Sequence, residues 1–330
     1  MEQQISESYH NMTKWFSVKK KGLEREIEIS VVVEFFRFLF YLWFIMIVVV
    51  GISLTYGVTA VSMKTAGNET FYEVIEGVFG SVNICAFFDF PPATYVLPTM
   101  YAILLLLLYQ YAIVSVFRAW MALEENKITQ KQFVLYTYAF LYFALSAAMF
   151  STIFAVQPDP GNPDTIIIHT LPFTNLIIAL TVLQIAVTWF GRSVSWKGLK
   201  HKNKLTKRLL RLCTYICLVT LILTTIFKVI HQINALGDLK YPESMRRLGT
   251  KKDNGLWFNV HNHKPLLQLI DKTWLLAALV GPMMQSGYLT FKTFHTHLII
   301  FTVRDNRRAN PRDSVAIVGT DNEAHEMEAQ

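Results

Sequence analysis

The chain has 330 residues, 52% of them hydrophobic, with a positive mean hydropathy and a formal charge of +7. That is too apolar for a soluble globule and fits a membrane protein. Lysines and arginines fall in short clusters between long apolar runs, the pattern of membrane flanks, so no nucleic-acid partner is expected.

The first 31 residues include "YHNMTKWFSVKKKGLEREIEIS", which reads as a plain basic flank or as a short amphipathic helix on the membrane surface. Crossing roughly 30 Å of hydrocarbon takes about 20 apolar residues. Six stretches qualify: 32–60, 95–117, 133–156, 166–190, 209–230 and 273–293. The first follows a long polar segment and exceeds a signal-peptide core, so it is expected to act as a signal anchor. The prolines of "FFDFPPATYVLP" punctuate the entry to the second, with Pro98 expected in its first turn. The third contains "ALSAAMFS", whose small residues allow close helix approach.

The fourth stretch, "DTIIIHTLPFTNLIIALTVLQIAVTWFGR", carries His169 and Asn175 among isoleucines and leucines. In the fifth, Cys213 and Cys217 read as small core residues, and Cys85 has no outer cysteine to pair with. Gln285 falls near the middle of the sixth. The tail beyond residue 302 has little to bury and is expected to be disordered. The expected fold is therefore all-α: a cytoplasmic segment 1–31, a six-helix transmembrane domain 32–302 and a cytoplasmic tail 303–330.

Orientation follows from the loops. With the N-terminus inside, the inner segments hold 19 Lys and Arg and the outer loops 8, seven of these in the long 231–272 loop where the rule weakens. Both termini are thus expected in the cytoplasm. "NET" at Asn68 would then be a glycosylation acceptor in the first outer loop.

Ionisable groups inside spans are expensive, and each calls for an account. In this topology Asp89, His169, Lys228 and His231 all lie toward the outer face. Lys228 and His231, three apart in "FKVIH", share a helix face. One reading makes the four a site for a phosphate or ester headgroup, with the histidines hydrogen-bonding it or moving a proton. The other makes His169 an interfacial residue bonded to a neighbouring backbone carbonyl. A zinc site needs three or four ligands in set geometry, which this set does not supply, so neither metal nor cofactor is expected.

Six spans with both ends inside, a roughly 30-residue first outer loop and a short third-to-fourth connection resemble one superfamily. It joins the damage-regulated autophagy modulators to the post-GPI-attachment-to-proteins factors. The local likeness lies in "TIIIHTLPFTNLIIAL", in "IFKVIHQI" at the exit of the fifth span, and in "YLTFKTFHTHLIIFTVRD" after the sixth. The resemblance spans roughly residues 32–305, and the long fifth-to-sixth loop departs from it. It implies a role at the lumenal face of the secretory pathway or the lysosome.

The first expectation is a protein of the Golgi or endoplasmic reticulum that binds a lumenal-leaflet lipid and assists GPI-anchor remodelling. The alternatives are a non-enzymatic regulator of autophagy in the lysosome, with protein partners on the basic inner loops, and a membrane lipid hydrolase using His169 and Thr170. Residence at the plasma membrane is a further option.

Overall fold

The protein was analysed as a computed structural model. The structure describes residues 16–21, 26–59, 88, 91–156, 163–193, 204–239, 264–292 and 298–304. Asn68, Cys85 and Asp89 lie outside them, as does the tail beyond residue 304.

Six helices are long and apolar enough to cross a membrane, and this is an integral, multi-pass membrane protein. The first span is α1 (Val33–Leu54), ending in a π-turn at Thr55–Thr59. Then come α2 (Ala93–Glu124), α3 (Gln130–Phe150) with a 3-10 turn at Ser151–Phe154, α4 (Pro163–Ser193) and α5 (Lys204–Leu239). The sixth span is built of α6 (Lys264–Leu275), a π-turn (Leu276–Val280) and α7 (Gly281–Lys292). The spanning body is all-α, as composition required: with no water to satisfy backbone groups, each segment must bond internally.

Several boundaries differ from expectation, with consequences for depth. The sixth span starts nine residues earlier than 273, at Lys264, and so takes in Asp271. Because α5 continues to Leu239, Lys228 is about three turns from its helix end instead of beside it. His169 lies nearly two turns inside α4 rather than within one. Pro98 falls in the second turn of α2, since that helix begins at Ala93.

Residues 16–21 and 26–32 form strands in place of the amphipathic helix considered for this region: β1 (Phe16–Lys21) and β2 (Glu26–Val32). The reason is readable in "EIEISVV", where polar and β-branched residues alternate with a period of two. A third strand, β3 (Leu298–Arg304), pairs antiparallel with β2, Val32 opposite Leu298 and Glu26 opposite Arg304. It runs across the expected boundary at residue 303. Six crossings bring the segment before α1 and the segment after α7 to one side of the bundle, and the β2–β3 pairing joins them there.

Helices pack mainly with their sequence neighbours, and the ring closes where α7 meets α1. Within it α4 is the central staff: 61% of its apolar window is buried inside the protein, against 17% for α5. Phe173, Leu176, Ile177, Leu180 and Leu183 supply that buried face. Leu141 and Leu145 on α3 and Ile216, Val219 and Leu223 on α5 point outward, where lipid solvates them. Association in lipid gains little from the hydrophobic effect, so polar cross-links carry weight. Asn175 is one of these. It accepts from the Tyr142 hydroxyl at 2.7 Å and donates to Ser146 Oγ at 2.8 Å, tying α4 to α3.

Gly281 sits where α7 crosses α5, and a Cβ there would lie 2.9 Å from Cys217 Sγ and 3.3 Å from its Cβ. Gly281→Val is expected to lower stability in detergent by about 1–3 kcal/mol through overpacking. Thermal unfolding of this variant beside Gly281→Val/Cys217→Ala checks it, since removing the sulfur should return part of the loss. Equal melting of the two variants would place the strain elsewhere.

Candidate functional site

Near the end of the bundle opposite the termini, α5 turns Lys228 inward, where it is 6% exposed. Its ammonium forms a salt bridge with Asp271 of α6. Two aromatic rings complete its surroundings, Trp274 with its centroid 4.8 Å from Nζ and Phe173 at 5.5 Å. Cation–π attraction of this kind strengthens when water is excluded. Trp274 is itself fixed, its indole N–H donating to Thr225 Oγ1 at 3.0 Å. Thr225 in turn shares a 2.8 Å bond with Thr181 of α4. One turn beyond Lys228, Gln232 accepts from Thr174 at 2.8 Å. Three helices are therefore cross-linked around one ion pair.

The expected site residues fare differently. His169 stands one turn before Phe173 on α4 and is buried. Its Nδ1 donates to the Val156 carbonyl at 2.9 Å, the carbonyl-bonded arrangement weighed above, and this ties the residues just after the 3-10 turn to α4. In the neutral ring that bond leaves the lone pair on Nε2. His231 is half-buried and stacks on Phe227 of its own helix, ring centroids 6.3 Å apart. Lys228 and His169 thus share the α4–α5 seam through Phe173. Asp89 lies outside the described residues, so the carboxylate that meets Lys228 here is Asp271.

Asp271 was missed because the sixth span was started too late, which left it in a loop. Its signal was the pattern "KPLLQLIDKTWL", with Leu267 and Trp274 one heptad apart on the buried side of an amphipathic helix.

A second polar cluster lies at the terminus-bearing end and was also missed. Glu34 and Arg37, one turn apart on α1, are both buried inside the first apolar run. Glu34 has Arg37 Nη1 and Arg118 Nη1 each at 3.4 Å. Arg37 Nη2 donates to Gln285 Oε1 at 2.8 Å, joining α1 to α7. Gln285, expected at mid-span, lies two turns from the end of α7 because the whole span is shifted. One turn deeper on α1, the Tyr41 hydroxyl accepts from Gln184 of α4. The signal here was a Glu and an Arg at i, i+3 where hydrocarbon is expected.

Among the described residues, no three His, Cys, Asp or Glu gather as metal ligands. Compared with protein-family models, with curated proteins and with solved structures, the chain has no match in any of the three.

Proposed function

We propose that this membrane protein binds a lipid headgroup at the face opposite its termini and assists the remodelling of GPI-anchor lipids there. The observation that carries the reading is the Lys228–Asp271 pair, buried among Phe173 and Trp274. A buried ion pair is rarely more stable than well-packed apolar residues of the same volume, so stability alone does not account for it. Intramembrane charges mark pathways and ligand sites by default.

The chemistry suits a headgroup carrying both phosphate and amine. Lys228 takes the phosphate as a point charge, Asp271 accepts from the amine, and the two aromatic rings hold whichever cation lies between them. His169 and His231 flank the seam as hydrogen-bonding or proton-transferring groups. The resemblance in "TIIIHTLPFTNLIIAL" and "IFKVIHQI" is to the superfamily as a whole, and the gathering of Lys228, His169 and His231 toward the face opposite the termini favours its GPI branch. The basic-residue distribution supports cytoplasmic termini, which would set this face in the lumen of the Golgi or endoplasmic reticulum.

The test is gene removal followed by rescue. Without the protein, GPI-anchored proteins should fall at the cell surface and rise in the medium, and the wild-type chain should restore them. Lys228→Met/Asp271→Leu keeps volume and removes both charges together, so it should accumulate normally and fail to rescue. Full rescue by that double variant would reduce the pair to packing. A normal surface level with altered lysosomal turnover would instead support the autophagy regulator.

A further inference from the structure

We propose that the cavity at the terminus-bearing end of the bundle is an internal water site, in which one or two ordered waters bridge Arg37 Nε on α1 to the Tyr111 and Ser115 hydroxyls on α2. The site is independent of the one around Lys228.

Arg37, Tyr111 and Ser115 all line this space, and each is no more than 3% exposed. Tyr111 and Ser115 stand four apart on α2, so one helix face presents both hydroxyls. Among the described residues, neither Arg37 Nε nor the Tyr111 hydroxyl has a hydrogen-bond partner. A buried donor in that condition is costly, most of all on a charged group. Neither group is placed to turn away. Arg37 is held at its far end, with Nη2 donating to Gln285 Oε1 at 2.8 Å and Nη1 lying 3.4 Å from Glu34. The Tyr111 ring is held between Phe40, stacked with centroids 6.2 Å apart, and Phe140, edge-on at 5.1 Å.

The size of the space selects the ligand. A water centre has about 20 Å³ to move in, above the about 10–15 Å³ that one water requires. No organic headgroup fits there. Water also matches the chemistry: it accepts from Nε–H and from one hydroxyl and donates to the other, the three bonds typical of a buried water. Its route in is short. Arg37 is the fifth residue of α1, about 6 Å along the axis from the helix start, on the terminus-bearing side. The bridge lets a full guanidinium charge persist inside the bundle, because Glu34, Gln285 and water between them meet its fork of donors.

The test is hydroxyl-radical footprinting of the full chain in detergent micelles, read by mass spectrometry. Radicals made from a bound water oxidise the side chain it touches, so Tyr111 should be labelled despite its burial. Tyr41 is as deeply buried and does not line the cavity, so it should stay unlabelled. Ser115→Val fills the water's space and should cut the Tyr111 label several-fold. Tyr111→Phe removes one bond to the water, and its melting temperature should fall by roughly 2 °C, the effect of one hydrogen bond in a large chain. In a dry cavity the same change deletes a hydroxyl that has nothing to bond, and melting would rise. Melting in chloride and in gluconate should coincide, because the ligand is neutral. Tyr111 labelled no more than Tyr41, a Tyr111→Phe chain melting at or above the wild type, or stabilisation by chloride would each overturn the proposal.

Discussion

Lys228→Ala will unfold in detergent at a markedly lower temperature than the wild-type chain, with a loss of about 3–5 kcal/mol, because it strands a carboxylate in the bundle. The Asp271 side chain is 14% exposed, so little solvent reaches it to soften the cost. Asp271→Ala will lose less. The ammonium it leaves behind still faces Trp274 and Phe173, and a desolvated cation–π contact offsets the loss by about 0.5–2 kcal/mol. The double variant Lys228→Met/Asp271→Leu should melt close to the wild type, since removing both charges removes both desolvation penalties. Thermal unfolding of all four proteins closes the cycle. Additive losses, with the double variant worst, would show that the two groups are not coupled and that the pair does not cross-link α5 to α6.

Glu34→Ala carries the second large effect and acts through a different imbalance. It removes the carboxylate that lies beside both guanidinium groups, in a cluster where Arg37 is almost wholly buried. A loss of about 3–5 kcal/mol is expected, the range for breaking a buried charge pair. Arg118→Ala should cost distinctly less. Its side chain is 12% exposed, and its removal still leaves Glu34 beside Arg37. Arg37→Lys should not be conservative, because lysine cannot span Glu34 and Gln285 with one planar fork. Chemical unfolding in a fixed detergent ranks the three. If Arg118→Ala proves the most damaging, the guanidinium of Arg37 is not the centre of this cluster.

The polar groups separate by what a linear pattern can express. Asn175 was visible as an amide among isoleucines, and its partners proved to be Tyr142 and Ser146 on the neighbouring helix. His169 was visible as well, and one of its two readings named the kind of contact it makes. The identity of that contact, the Val156 carbonyl thirteen residues earlier, depends on where the turn after α3 lies against α4. Asp271 was hidden by dilution. Around it Gln268, Asp271 and Lys272 lower the hydropathy of the sixth span to 1.2, the weakest of the six, and so pushed its apparent start toward the C-terminus. Arg118 was hidden by distance. Nothing near it in the chain announces that Glu34, 84 residues away, is its neighbour.

By itself the sequence determined the number of spanning helices and that the segments flanking the first and the last of them share a side. Hydrocarbon thickness demands about 20 apolar residues per pass, and an even number of passes returns the chain to the side it left. Tertiary structure alone decided which buried charge meets which. Pairings such as Lys228 with Asp271, or Arg37 with Gln285, are set by how far each helix is rotated about its axis and shifted along it. Packing between helices fixes those two quantities, and a helix taken singly leaves both undetermined.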